Sequence, residues 1–404
     1  MSSIRVAILG FGTVGEGVYK TINSHKEKLS KVLGKRVEVA AVLVKSKNKN
    51  REIDNRVLVT DDFEEILNLE KLDVVVEAIV GQEPALTYLQ KAIQKECHII
   101  TANKEMFAVH GSELQKLAKE NGVSVGFEAT VAGGVPVIQT LQQLLNINQI
   151  KKIEGILNGT SNYILSEMRT NDLSFSAALQ AAQEKGYAEA DPTNDVEGYD
   201  AFYKLMILSE IAFGGKPEWA MVPREGITGI TEEQIKGAEK LGLRFKLIAS
   251  IQLVNGTIIG SVRPTLVTET HPLFNIEGVE NSVSIEGDIV GRITLQGPGA
   301  GMLPTASAVI EDLIHVVRGN QNTVTLCPLS NGEDERAEDK GNQNWLMIHP
   351  GEAQLTSVPV SVVTQTDNHV YLKADEPTIS TLRKRNHQAS FFEVLGEFQL
   401  KKSV

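Results

Sequence analysis

The feature that most constrains this chain lies near its start. A short aliphatic run, 4–9, ends in Gly10-Phe11-Gly12-Thr13-Val14-Gly15 and gives way to a helical spacing of Val14, Val18 and Ile22. Glycines at this spacing, between a strand and a helix, allow a tight turn, a close backbone approach and close helix–strand contact. The helix start then offers free N–H groups and a partial positive charge to phosphates. A bare glycine turn would share the pattern, but its strand–turn–helix setting is that of a dinucleotide site. The same rhythm continues through residue 130. Runs at 37–44, 57–60, 74–80, 98–101 and 123–127 read as strands, separated by helix-spaced groups such as Leu86, Leu89 and Ile93. Continuous apolar strands alternating with helices predict a parallel sheet covered on both faces, a doubly wound (Rossmann) α/β domain.

Beyond residue 135 the alternation stops. Helical patterns at 137–145, 163–169, 177–184 and 198–213 mix with strand-like runs at 152–157, 245–253, 257–262, 283–286 and 293–295. This predicts a second domain of the α+β type. The expected organisation is a nucleotide-binding domain at 1–134, with 300–325 packing back onto it, a second domain at 135–300, and a small C-terminal module at 330–404, or else strands there that add to the second domain. The polar stretch 330–344 reads as a linker.

Composition excludes several classes. Among 404 residues, 40 Lys+Arg face 51 Asp+Glu, a net charge of −11. That balance argues against a nucleic-acid binder. No apolar run reaches the roughly 18 residues of a membrane span. The start MSSIRVAILG lacks a signal pattern, so a cytoplasmic protein is expected. Cys97 and Cys327 are the only cysteines, too few for a disulfide framework. Neither has the setting of a nucleophile, which disfavours a thioester-forming dehydrogenase.

Four further segments carry candidate chemistry. The second strand ends before Lys45-Ser46-Lys47 rather than at a carboxylate. A cation there suits a 2′-phosphate and so NADP over NAD, although a solvated basic loop would look alike. Residues 189–204 hold Glu189, Asp191, Asp195, Glu197, Asp200 and Lys204. Asp200 and Lys204 share a helix face that continues apolar; burial there would lower the lysine's pKa and make it a useful proton donor. An ordinary surface ion pair has the same spacing. Thr101-Ala102-Asn103-Lys104 follows a strand at the carboxyl edge of the sheet, where ligands bind, or simply caps a helix. The 128–136 segment, EATVAGGVP, joins the halves as a hinge or as a set of carbonyls for a hard cation. A second glycine loop, 297–301, opens a helical pattern at its end, Gly301, which could return the chain to the cofactor or be a simple interdomain turn.

Six blocks in order, GFGTVGEGV (10–18), TANKEMFAVHG (101–111), EATVAGGVPVI (128–138), GILNGTSNYIL (155–165), AEADPTNDVEGYDAFYKLMIL (188–208) and GPGAGMLPTASAVIEDL (297–313), resemble homoserine dehydrogenase. The resemblance implies NAD(P)-dependent interconversion of L-homoserine and L-aspartate 4-semialdehyde, on the route to threonine, methionine and isoleucine. It implies that Lys204 is the proton donor, that Glu189 and Asp200 hold the substrate amino group, and that Lys104 belongs to the site. It places cofactor contacts at Gly10, Phe11, Gly12, Thr13, Val14, Gly15, Lys45, Lys104 and Gly301. It places a sodium ion at Glu128, Val131, Gly133 and Val135. It also implies a homodimer or homotetramer assembled through the second domain, for which the apolar strands at 245–262 offer a surface. The DxPGVL-like start of an amino-acid-binding ACT module is absent after residue 330, so threonine feedback through such a module is not implied. A redox-sensing binder without catalysis would keep the glycine loop but would have no need of Glu189, Asp200 and Lys204 together.

Overall fold

The computed structural model describes residues 3–47, 50–319, 343–349, 354–355, 358, 360–366 and 368–398. Cys327 and most of the expected linker lie outside them.

Six strands form the first sheet: β1 (Ser3–Leu9), β2 (Arg36–Leu43), β3 (Leu58–Thr60), β4 (Val74–Glu77), β5 (His98–Thr101) and β6 (Val125–Gly126). All pair in parallel, in the order 3-2-1-4-5-6. Alternate residues of each strand enter two cores, as the pleat requires. Val6, Ile8, Val74, Val76 and Ile100 pack on one side. Ala7, Leu9, Val75 and Ile99 pack on the other against the helices Ala85–Gln94 and Lys104–Glu120. The first side is closed by helix Thr13–Ser24 and by Met302–Arg318, a helix from far along the chain. Gly17 lets these two helices cross, because a Cβ there would lie 2.7 Å from Met302. The strand order reverses between β1 and β4, which opens a crevice at their carboxyl ends.

The second sheet has β7 (Ile150–Ile156), β8 (Leu243–Val254), β9 (Thr257–Thr268), β10 (Glu280–Gly287) and β11 (Gly291–Pro298). It continues with β12 (Gln343–Ile348), β13 (Ser361–Gln365), β14 (His369–Ala374) and β15 (Ser390–Leu395), in the order 11-10-7-8-9-15-12-14-13. Helices Gly159–Thr170 and Tyr199–Phe213 cover one face, where Ile153, Phe245, Leu247, Ala249, Ile251, Val262 and Val283 meet Ile164, Leu205 and Leu208. The apolar positions of 245–262 therefore mostly face their own helices. Their neighbours Ile248, Ser250, Gln252, Ile259 and Ser261 alternate to the other side, where Ile259 is exposed.

The C-terminal strands are not a separate sheet. β15 pairs in parallel with β9, through Glu393–Thr265, Val394–Leu266 and Leu395–Val267. Gln343 and Asn344, expected to end a linker, begin β12. Counted within the module the strands stand 4-1-3-2, all antiparallel, with helix Glu376–Arg385 before the last, a ferredoxin-like arrangement. Arg263 of β9 fastens the joint. It donates to Glu376 at 2.7 Å, lies 3.7 Å from Glu393, and sits over the Trp345 ring. Replacing Arg263 with Met strands the buried Glu393 carboxyl. Chemical denaturation should show a loss of about 3–5 kcal/mol, the cost of breaking one side of a buried pair. A second change, Glu393→Gln, should recover part of it.

Candidate active site

The glycine turn is built as its spacing requires. Gly10 lies at φ +91°, and a Cβ there would stand 2.6 Å from the Ala78 carbonyl oxygen. A Cβ on Gly15 would stand 2.0 Å from the Gly10 oxygen, so only glycine lets the helix start this close to the strand. Gly12 is the helix N-cap; it has no side-chain cap, and beyond its chain neighbours no group lies within 4 Å of where its Cβ would be. The first N–H groups of the helix thus face an open space, which fits a pyrophosphate. Gly301 caps helix Met302–Arg318 at φ +117°, and its neighbour Met302 packs on Gly17. The second glycine loop therefore reaches the same helix. Lys45 is exposed on the turn after β2, while Lys47 pairs with Asp61 at 2.9 Å. Sequence reasoning missed Arg51, whose guanidinium donates to the Ser46 carbonyl at 2.9 Å on the same turn. The basic composition of 45–51 was its only signal.

The polar residues converge where the two halves meet. Lys104 opens helix Lys104–Glu120, directly after β5, under an Asn103 cap. Asp200 and Lys204 lie one turn apart on helix Tyr199–Phe213, which begins at Gly198 in the left-handed region. Asp200, 2% exposed, is shared by two ammonium groups: Oδ1 pairs with Lys104, and Oδ2 accepts from Lys204 at 2.7 Å. Lys204 also donates to the Leu157 carbonyl at 2.6 Å. The surface-pair alternative is excluded, since both side chains are buried.

Electrostatics separate the two lysines. Burial pushes Lys204 below the ordinary lysine value, more than Asp200 restores, and Lys104 adds to the fall. Lys104, half exposed, is pushed up by the Asp200 carboxylate, with Asp195 and Glu189 adding to it. Burial would raise Asp200, but Lys104 and Lys204 outweigh it and hold the carboxyl below the usual range. The two lysines around Asp200 are thus shifted in opposite directions.

Not every acidic residue of 189–200 takes part. Glu189 stands exposed at the rim and acts on Lys104 through its charge. Asp191 caps the turn to Thr193, and Glu197 accepts from Thr228. Asp195 does converge: burial and Asp200 raise its carboxyl. Asn158, which spacing did not single out, ties the set together. Its Nδ2 donates to Asp195 at 2.7 Å and Asp200 at 2.9 Å, while its Oδ1 caps helix Gly159–Thr170 through Ser161.

The joining segment encloses Glu128, 1% exposed, whose oxygens accept the N–H groups of Ile138 and Gln139. Its own N–H donates to the buried Asp312. Burial raises Glu128 to about 7, and burial together with Glu128 raises Asp312. Ala132 and Gly133 are both at φ +54°, which curls 131–135 beside them. Among the described residues neither acid has an ion-pair partner, and no three His, Cys, Asp or Glu side chains form a metal cluster. A cation held by one carboxylate and backbone carbonyls fits this donor set; a side-chain metal cluster does not.

A doubly wound sheet with an open glycine loop, beside a buried carboxylate shared by two lysines, defines a nicotinamide-nucleotide oxidoreductase. Comparison with known proteins narrows this. Residues 10–128 match the family model "Homoserine dehydrogenase, NAD binding domain", and 136–314 match "Homoserine dehydrogenase". The Bacillus subtilis homoserine dehydrogenase is 42% identical over 355 residues, covering 86% of this chain and 82% of that protein. The Thiobacillus denitrificans homoserine dehydrogenase structure superposes with TM-score 0.87 at 32% identity, over 97% of this chain and 98% of that one. A hyperthermophilic archaeal homoserine dehydrogenase in complex with NADPH gives TM-score 0.69 at 27% identity, over 79% of this chain and 98% of that one. The chain belongs to the homoserine dehydrogenase family. It is an NAD(P)-dependent oxidoreductase of amino-acid biosynthesis acting on a small molecule. No helix among the described residues is long and apolar enough to cross a membrane.

Asn158→Asp keeps the helix cap but replaces the shared donor with a third carboxylate. Turnover should fall by roughly tenfold or more, as for displaced reacting groups. The thermal midpoint should stay closer to wild type than in Asn158→Ala, which also loses a cap worth about 1 kcal/mol.

Proposed function

We propose that Lys204 is the proton donor and acceptor of the interconversion of L-aspartate 4-semialdehyde and L-homoserine. The single observation that carries this is the buried Asp200 carboxylate shared by Lys204 and Lys104 where the two halves meet. Bound nicotinamide would supply or accept the hydride. In the reducing direction Lys204 gives its proton to the developing alkoxide, and its charge stabilises that oxygen. Asp200 holds Lys204 in place and keeps the proton within reach. Lys104 remains charged at the mouth, and Glu189 with Asp200 holds the substrate ammonium group.

Lys204→Ala should lower kcat by about 100-fold or more, the range of a lost general acid. In wild type, homoserine oxidation requires neutral Lys204. Its kcat/KM should rise with pH through an inflection below the ordinary lysine value of 10.5, and Lys204→Ala should lack that inflection. Wild-type turnover in the variant would remove Lys204 from the mechanism. Glu189→Leu should act mainly on the homoserine KM; an unchanged KM would contradict its role.

The cofactor is NADP in preference to NAD on this reading, supported by Lys45 and Arg51 where NAD-specific sites carry a carboxylate. Gly10 to Gly15, with Gly301 behind them, hold the pyrophosphate, and Lys104 borders the nicotinamide end. Lys45→Ala should lower the ratio of kcat/KM for NADP to that for NAD, and a constant ratio would refute the assignment. Glu128 and the carbonyls of Val131, Gly133 and Val135 are proposed to hold sodium, which would offset the charge of two buried acids. The chain is proposed to work in the cytoplasm as a homodimer or homotetramer through its second sheet, which sedimentation equilibrium would test.

A further inference from the structure

One buried carboxylate has no task in this scheme. Glu77 ends β4 at the carboxyl edge of the first sheet, and its side chain is fully enclosed. Its Oε1 accepts the Ile79 N–H at 2.6 Å, and its Oε2 accepts the Thr101 hydroxyl at 2.5 Å. Thr101 Oγ1 in turn accepts the Asn103 N–H at 3.0 Å. The Asn103 amide closes the circuit, donating to the carbonyls of Ile79 at 3.0 Å and Gly81 at 2.7 Å. Its Oδ1 caps the helix that opens with Lys104. A loop and a turn on neighbouring strands are thereby tied into one unit, and that unit carries the lysine that pairs with Asp200.

A buried carboxylate is costly unless a cation or several donors compensate it. Among the described residues Glu77 has no ion pair. The charged groups of the surrounding elements are engaged elsewhere: Lys104 with Asp200, Glu105 with Gln82, and Glu83 with Thr87. Asp73 and His98 stand at the other ends of β4 and β5. A carboxylate without a cation, held only by neutral donors from two loops, is an arrangement that organises backbone rather than one that stabilises charge.

We propose that Glu77 is a positioning residue for this reaction: through Thr101 and Asn103 its carboxylate closes a clasp that sets Lys104 and the 78–81 loop in their working geometry. The inference rests on the reading of Lys104 as a site residue. Its pH dependence follows from the bonding. Burial raises the Glu77 carboxyl to about 7 against the pull of Thr101, Ile79 and Asn103. When ionised, both oxygens accept and the clasp is closed. When protonated, one oxygen becomes a donor, and the Thr101 hydroxyl loses its acceptor. The clasp is therefore closed above that transition and loosened below it.

The test is the pH profile of kcat/KM for homoserine oxidation in wild type, Glu77→Gln, Thr101→Val and Thr101→Ser. NADPH affinity by fluorescence and the thermal midpoint are measured alongside. Wild type should show a step near neutrality. Glu77→Gln should lose the step and lie roughly tenfold below the wild-type plateau, as for a displaced catalytic contact, with its thermal midpoint little changed. Thr101→Ser keeps the hydroxyl and should keep the step; Thr101→Val should lose it. A Glu77→Gln profile that superimposes on wild type, or Thr101→Val indistinguishable from Thr101→Ser, overturns the proposal. Should Glu77→Gln not fold, the Thr101 pair decides alone. Lys104→Ala separates the two claims. Wild-type rates in Lys104→Ala overturn the site reading and the clasp with it. An impaired Lys104→Ala beside an unaffected Glu77→Gln overturns the clasp only.

Discussion

Asp200 places one buried negative charge between two ammonium groups, and much of the molecule is arranged around that fact. A buried carboxylate paired on both sides is stable only while both partners remain, because removing one leaves an uncompensated charge. One partner, Lys204, comes from the same helix one turn on. The other, Lys104, comes from the first domain, at the end of β5. The ion pair is thus also a tie between the halves, and the site exists only when both are in register.

The fold holds that register from several directions. Helix Met302–Arg318 leaves the second sheet and crosses the nucleotide-binding helix at Gly17. Asp312 on the same helix accepts the N–H of Glu128 in the joining segment. Near the site, Asn158 fixes Asp195 and Asp200 relative to the start of helix Gly159–Thr170. On the far side, Arg383 of the C-terminal module pairs with Glu225 at 2.9 Å, and the adjacent Arg224 donates to the carbonyl of Glu197. Glu197 lies three residues before Asp200. The C-terminal module is thus connected to the segment that carries Asp200 and Lys204.

Much of this was legible in the sequence for identifiable reasons. The parallel sheet showed because strands buried on both faces read as unbroken apolar runs. The glycine loop showed because Gly10 and Gly15 answer steric demands of the turn and the helix contact, while Gly12 leaves space in front of the helix start. Asp200 and Lys204 showed as a pair because helical spacing puts i and i+4 on one face, although only the structure distinguishes a surface bridge from a buried pair. What stayed hidden depends on the third dimension. Asn158 and Glu77 act through neighbours 42 and 24 positions away. Helices Lys26–Leu33, Glu232–Lys240 and Glu376–Arg385 are too charged to show an apolar stripe over one or two turns. The C-terminal strands read either as a small module or as strands added to the second domain, and the sequence did not decide between the two, since edge pairing with β9 uses backbone groups that every sequence has.

The most direct test of the shared-carboxylate account is the pH dependence of homoserine oxidation in Asp200→Asn against wild type. Burial lowers Lys204 and Asp200 opposes it. Removing that charge while keeping the shape should move the basic inflection to lower pH, with activity reduced but measurable. An inflection that stays in place, or moves to higher pH, would show that Asp200 does not set the proton affinity of Lys204 and would contradict the account.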